Sequence, residues 1–273
     1  MPTSSTPSSS SRRPSPSRHP APSRRPSSQL PLPSRDWALF LDFDGTLVSL
    51  AAHPDDVHVS PRLKTLLGQL DRAFDGAVAV VSGRPLDQLE RLLAPVSLPM
   101  AGIHGLEWRN PDGTRHTAVD QPAQLASCRD ALASFVEAHP GLHYEDKGVS
   151  LTLHYRTAPE LAETCREFIE AQHRALGDTF ELIPGKCVFE LRPSGYHKGT
   201  AVARLLDEES TFQTRTPVFI GDDVTDEDAF RTVNARGGHS VRVGSQDETA
   251  ATYHLQSVQE VLTWLETLTT PDP

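Results

Sequence analysis

Leu41-Asp42-Phe43-Asp44-Gly45-Thr46-Leu47 follows the apolar run Trp37-Ala38-Leu39-Phe40, and this junction decides the reading of the chain. The apolar run predicts a buried strand over residues 39–43. Side chains alternate along a strand, so Asp42 and Asp44 start out facing the same way. Gly45 then lets the chain turn. Two carboxylates so close repel each other unless a cation sits between them or one is protonated. One of them can attack an electrophile and carry a covalent intermediate, while the other moves protons. A magnesium ion can neutralise the group. A plain strand-end turn with two solvated acids would use the same residues, but signals further along the chain favour the chemical reading.

Three such signals each fall at the expected C-terminal end of a strand or the start of a helix, where ligands collect in open α/β sheets. Residues 77–81 form a short apolar strand that runs into Ser82-Gly83-Arg84-Pro85. A hydroxyl at Ser82 can donate to a phosphoryl oxygen. Lys198, in Tyr196-His197-Lys198-Gly199-Thr200, is a compact point charge suited to a phosphate and to a carboxylate. Gly221-Asp222-Asp223-Val224-Thr225-Asp226-Glu227-Asp228 follows Phe219-Ile220 and packs five acids into seven positions. Asp226, Glu227 and Asp228 partly read as acids that suit a helix N-terminus. Asp222 and Asp223 precede that helix and read as metal ligands, since magnesium takes hard oxygen donors.

Around these pieces strand and helix alternate. Helices are expected over residues 61–74 after the capping Ser60, over 86–93, 198–208, 225–233 and 258–268, and strands over 218–220 and 240–243. This grammar implies a Rossmann-like α/β core with a parallel sheet covered on both faces. Between the halves it changes. Asn110-Pro111-Asp112-Gly113 signals a hairpin turn. Helices are expected over 124–137 and 159–176. Residues 149–156 and 187–192 alternate apolar and polar side chains, as half-buried strands do. Residues 108–194 thus read as a smaller α/β module inserted into a core made of 36–107 and 195–273, and a lid over the active site is its natural use.

Residues 1–35 hold twelve Ser, nine Pro and six Arg and no acid, a composition that predicts a disordered tail. Without it, residues 36–273 carry 20 basic and 36 acidic residues. A body of net charge −16 argues against nucleic acid as a partner. No apolar run is long enough to cross a membrane. Cys128, Cys165 and Cys187 lack metal-ligand spacing and suit a reducing compartment. The expectation is a cytoplasmic monomer acting on a small anionic substrate.

Taken together, the pieces resemble the haloacid dehalogenase-like phosphohydrolases over roughly residues 37–107 and 195–245. The resemblance implies that Asp42 is the nucleophile, Asp44 the general acid/base, and Ser82 and Lys198 the phosphoryl-binding groups. It implies a magnesium ion on Asp42 and Asp222 beside the Phe43 carbonyl, with Asp44 and Asp223 as further candidate ligands. Finer motifs resemble the trehalose-6-phosphate phosphatases: Ser82-Gly83-Arg84, Gly102-Ile103-His104-Gly105, Glu145-Asp146-Lys147-Gly148, Glu190-Leu191-Arg192-Pro193 and Gly221 through Glu227. That match implies hydrolysis of trehalose 6-phosphate, with Glu145, Lys147 and Glu190 holding sugar hydroxyls from a cap. Arg84, His104 and Arg192 are further candidate substrate contacts, although His104 reads equally as a turn histidine bonded to backbone. A sucrose-phosphate or mannosyl-phosphoglycerate phosphatase would share the core and differ only in the cap.

Overall fold

The computed structural model describes residues 29–51, 56–119, 123–244 and 248–269. The Ser/Pro/Arg-rich segment lies, up to residue 28, outside the described residues.

Among the described residues, twelve strands form two sheets. The core strands are β1 (Trp37–Leu41), β2 (Val78–Val81), β3 (Met100–Gly102), β4 (Glu107–Arg109), β5 (Arg115–Thr117), β10 (Thr216–Gly221), β11 (His239–Val243) and β12 (Tyr253–Leu255). The insert contributes β6 (His143–Asp146), β7 (Leu151–His154), β8 (Phe180–Gly185) and β9 (Val188–Pro193). The helices are α1 (Pro61–Ala73), α2 (Leu86–Leu93), α3 (Leu125–Ala138), α4 (Ala162–Leu176), α5 (Lys198–Glu208), α6 (Glu227–Ala235) and α7 (Val258–Thr269).

The large sheet has the order β12-β11-β10-β1-β2-β3-β4-β5. It is parallel from β12 to β3, and β3, β4 and β5 are antiparallel. Central β1 has β2 on one side and β10 on the other, so the strand order reverses there. The crevice beyond its C-terminal end is where such sheets bind ligands. Every residue of β1 and β2 is buried, as expected of strands covered on both faces. Helix α1 shows how this is done. Ser60 Oγ accepts the Leu63 N–H at 3.2 Å and caps its first turn. Leu63, Leu66, Leu67 and Leu70 lie along one buried stripe. A cap of this kind contributes about 1 kcal/mol, and each buried leucine roughly 1.5–3 kcal/mol.

The small sheet is antiparallel with order β6-β7-β9-β8. Its own apolar cluster joins Leu125, Cys128 and Leu132 of α3 and Cys165 and Ile169 of α4 to Leu151, Leu153, Phe189 and Leu191. The two helices cover one face of this sheet. Pro184 is accommodated because β8 is an edge strand, where a missing N–H costs no ladder bond.

The hairpin at Asn110–Gly113, expected inside the insert, instead extends the large sheet as β4–β5. Trp108 stacks on His116 with ring centroids 5.1 Å apart, and Arg204 of α5 lies 3.9 Å above the Trp108 ring. These contacts tie the hairpin to the core. Among the described residues no helix is long and apolar enough to cross a membrane.

Candidate active site

Asp42 is the first residue past β1, and its N–H bonds the Ile220 carbonyl of β10 at 3.0 Å. Lys198 opens α5, 156 positions away, and its Nζ lies 2.6 Å from Asp42 Oδ1. The same Nζ lies 2.7 Å from Asp226 Oδ1. All three side chains are buried. Burial alone would lower the Lys198 ammonium, but Asp226 and Asp42 hold it above its usual range.

Asp42, Asp222 and Asp226 bring one carboxylate oxygen each within 4.8 Å of one another. This is not the set expected from sequence. The group includes Asp226 and leaves out Asp44 and Asp223, and local geometry explains why. Residues Val224–Asp226 form a 3-10 turn ahead of α6. The turn carries Asp226 back, so that its Oδ2 accepts the Asp223 N–H at 2.9 Å. A Cβ at Gly221 would collide with the Asp226 carboxylate, so only glycine admits this fold-back. The helix-start reading of Asp226 was therefore incomplete. An acid that is fully buried beside two others is not a dipole ornament. The Phe43 carbonyl, expected beside the metal, accepts the Leu47 and Val48 N–H groups and is spent in its own turn.

Three observations show that these residues suit a divalent cation. Asp222 Oδ1 is buried without a hydrogen-bond partner. A Cβ at Gly45 would collide with the Asp222 carboxylate, so glycine keeps that space open. The third is charge: Lys198 bonds two of the three carboxylates, Asp42 and Asp226, and with Arg242 it offsets the crowding at Asp222 only in part. Burial, then Asp226 and Asp222, push Asp42 well above the usual carboxylate range despite Lys198. Burial, then Asp226, raise Asp222 to about 6. A hard cation on Asp42 and Asp222 would supply the missing positive charge.

Asp44 lies outside that cluster. Arg84 holds both its oxygens, from Nε to Oδ2 at 2.6 Å and from NH2 to Oδ1 at 2.9 Å. Ser82 is buried at the end of β2 and its Oγ accepts the Arg84 N–H at 3.2 Å. Asp42, Asp44, Ser82, Arg84 and Lys198 line one cavity, which the insert closes with Glu145, Lys147, Thr152, His154 and Glu190.

Within the insert, Glu190 Oε1 accepts Ser150 Oγ at 2.9 Å and lies 3.4 Å from Lys147 Nζ. Burial would raise the Glu190 carboxyl, but Lys147, His104 and Arg192 together hold it well below its usual range. Burial opposes ionisation of Glu145 too, and His154, 3.4 Å away, with Lys147 brings it below. Lys147 sits just past β6 and reaches the core by donating to the Gly83 carbonyl at 3.0 Å. Arg192, expected to touch substrate, does not line the cavity. It is buried on β9, directly opposite Glu181 of β8, and bonds Glu181 Oε1 at 2.9 Å. Sequence reading also missed Thr152 and His154 as lining residues. Their alternation with Leu151 and Leu153 was the available signal, since the polar face of a half-buried strand must face something.

The sequence profile of the family described as trehalose-phosphatase matches residues 40–259. A "Trehalose-6-phosphate phosphatase" of Escherichia coli strain K12 is 38% identical over 243 residues, covering 89% of this chain and 90% of that protein. A "Probable trehalose-phosphate phosphatase" of Sinorhizobium fredii is 43% identical over 210 residues, covering 77% and 78%. Among solved structures, the C-terminal domain of a C. albicans trehalose-6-phosphate phosphatase has a TM-score of 0.75 at 26% identity, covering 86% of this chain and 92% of that one. Fold, site and sequence agree that this chain belongs to the trehalose-phosphatase family, phosphoric monoester hydrolases of haloacid dehalogenase-like fold.

Proposed function

We propose that the chain hydrolyses trehalose 6-phosphate to trehalose and phosphate, the last step of trehalose biosynthesis. The observation that carries this reading is one cavity shared by Asp42 and Lys198 on the core side and by Glu145, Lys147 and Glu190 on the insert side. The first pair suits phosphoryl transfer. The second group offers carboxylates and an ammonium in a buried setting, as the paired hydroxyls of a disaccharide require.

In this reading Asp42 attacks phosphorus and becomes an aspartyl phosphate as the sugar oxygen departs. Lys198 keeps the attacking carboxylate oriented and offsets charge on the transferring oxygens, aided by the Ser82 hydroxyl. Asp44, aimed by Arg84, gives a proton to the departing sugar oxygen and then takes one from the water that cleaves the intermediate. Asp42 and Asp222, with Asp226 beside them, would hold magnesium, which neutralises charge at the phosphoryl group. The insert between β5 and α5 acts as the cap that selects the sugar and excludes water.

Phosphate release from trehalose 6-phosphate, with magnesium and with chelator, beside a panel of other sugar phosphates, tests this. Selective, magnesium-dependent release is expected. No release from trehalose 6-phosphate alongside good hydrolysis of sucrose phosphate or mannosyl phosphoglycerate would overturn the substrate assignment and leave the core chemistry standing.

A further inference from the structure

His104 has no task in the chemistry of Asp42 and Asp44, yet it is buried at the seam between core and insert. Its Nε2 lies 3.0 Å from Glu190 Oε2, and both side chains are less than a tenth exposed. Glu190 thus takes partners from both bodies: Ser150 and Lys147 from the insert and His104 from the core.

The core side of this contact is the phosphoryl-binding turn. The His104 N–H donates to the Ser82 carbonyl at 3.0 Å. A Cβ at Gly83 would come within 2.7 Å of His104 Nε2, so the ring lies directly on Gly83. Lys147 grips the same turn through the Gly83 carbonyl. The backbone at Ile103 and His104 is left-handed, with φ of 44° and 55°. For side chains other than glycine such geometry costs of order 1–3 kcal/mol per residue and persists only where surrounding contacts enforce it. Here that geometry aims the ring at Glu190. Burial favours the neutral ring, although Glu190 opposes this. His104 Nδ1 is buried without a partner, which leaves Nε2 as the group that meets the carboxylate.

We propose that His104 is a positioning residue that joins the sugar-holding carboxylate Glu190 to the Ser82-Gly83 turn, so that a sugar seated in the insert sets the phosphoryl-binding hydroxyl. The proposal rests on the reading of Glu190 as a sugar ligand. A substrate without a sugar draws less on this coupling.

The test is a double-mutant cycle in the full chain, with H104A, E190Q and the pair. Each is assayed on the best sugar phosphate of the panel and on p-nitrophenyl phosphate. H104A is expected to lower the ratio of the two kcat/KM values about tenfold, and to lower it less than about threefold further in the E190Q background. H104Q, which keeps a neutral N–H near the Nε2 position, should regain most of the ratio, and H104N should not. A ratio unmoved by H104A, additive losses, or rescue by H104N instead of H104Q would overturn the proposal. If H104A does not fold, the H104Q and H104N comparison decides alone. A wild type that prefers another sugar phosphate would overturn the trehalose reading only, and the cycle is then read on that sugar.

Discussion

Arg84 grips both carboxylate oxygens of Asp44 in a two-pronged ion pair, at 2.6 and 2.9 Å. The guanidinium is itself held by Gln88 of α2 at 3.2 Å and lies over the Phe43 ring at 5.6 Å. A fork fixed on three sides gives Asp44 one direction, which a lysine point charge cannot reproduce. The Arg84→Lys protein should keep its melting temperature within a few degrees and lose about tenfold in kcat, with KM moving less, as expected when a proton-transfer group is misaimed. Initial-rate kinetics on a sugar phosphate check this. An unchanged kcat would show that Asp44 needs no clamp.

Asp226 was legible only as a helix-start acid, yet it holds Lys198 at 2.7 Å and the Asp223 N–H at 2.9 Å. Asp226→Asn removes one charge from a buried pair, a change that typically costs about 3–5 kcal/mol when it strands the partner. Here Lys198 still has Asp42, so the expected loss of stability is smaller. The expected loss of kcat is about 100-fold, because Lys198 would sit more firmly on Asp42, the proposed nucleophile. Thermal unfolding and single-turnover phosphate release separate the two effects. A variant with full activity would remove Asp226 from the site.

Magnesium removal should expose the cost of the carboxylate cluster. Asp222 is raised to about 6 from the ordinary 3.8, chiefly by burial and by Asp226. A carboxyl whose folded pKa exceeds its unfolded one opposes folding when ionised. That opposition is fully present above about pH 6 and fades as pH falls through 6 towards 3.8. In chelator the melting temperature should therefore rise between pH 7 and pH 5. Saturating magnesium should raise it at pH 7 and flatten the trend. Asp222→Asn should flatten it in chelator too, and a slope that survives this substitution would place its origin elsewhere.

Gly45 is the only residue type that fits beside the Asp222 carboxylate, and its φ of 84° independently favours glycine. Gly45→Ala must displace either the turn or Asp222. The apparent magnesium affinity, read from the magnesium dependence of phosphate release, should fall at least about tenfold. Unchanged metal dependence would mean that Asp222 relaxes without consequence.

Much of the core could be read along the chain. Helices Leu86–Leu93 and Lys198–Glu208 have the bounds their apolar spacing predicts, and the strands that lead into Ser82 and Asp222 lie on the expected apolar runs, whereas the strand before Asp42 spans Trp37–Leu41 and ends two residues earlier than expected. Several strands escaped, two of them for clear physical reasons. Met100–Gly102 is too short to show a period, and Phe180–Gly185 carries a proline that only its edge position tolerates. The order of chemical groups along the chain, and with it the reaction class, came from sequence alone, because strand ends and turn glycines are local features. The membership of the carboxylate cluster, the clamp on Asp44, the retreat of Arg192 to Glu181 and the His104–Glu190 contact were decided only by tertiary structure. Each depends on strand order, pairing register or a turn that folds back, and these set distances between side chains that spacing along the chain does not encode.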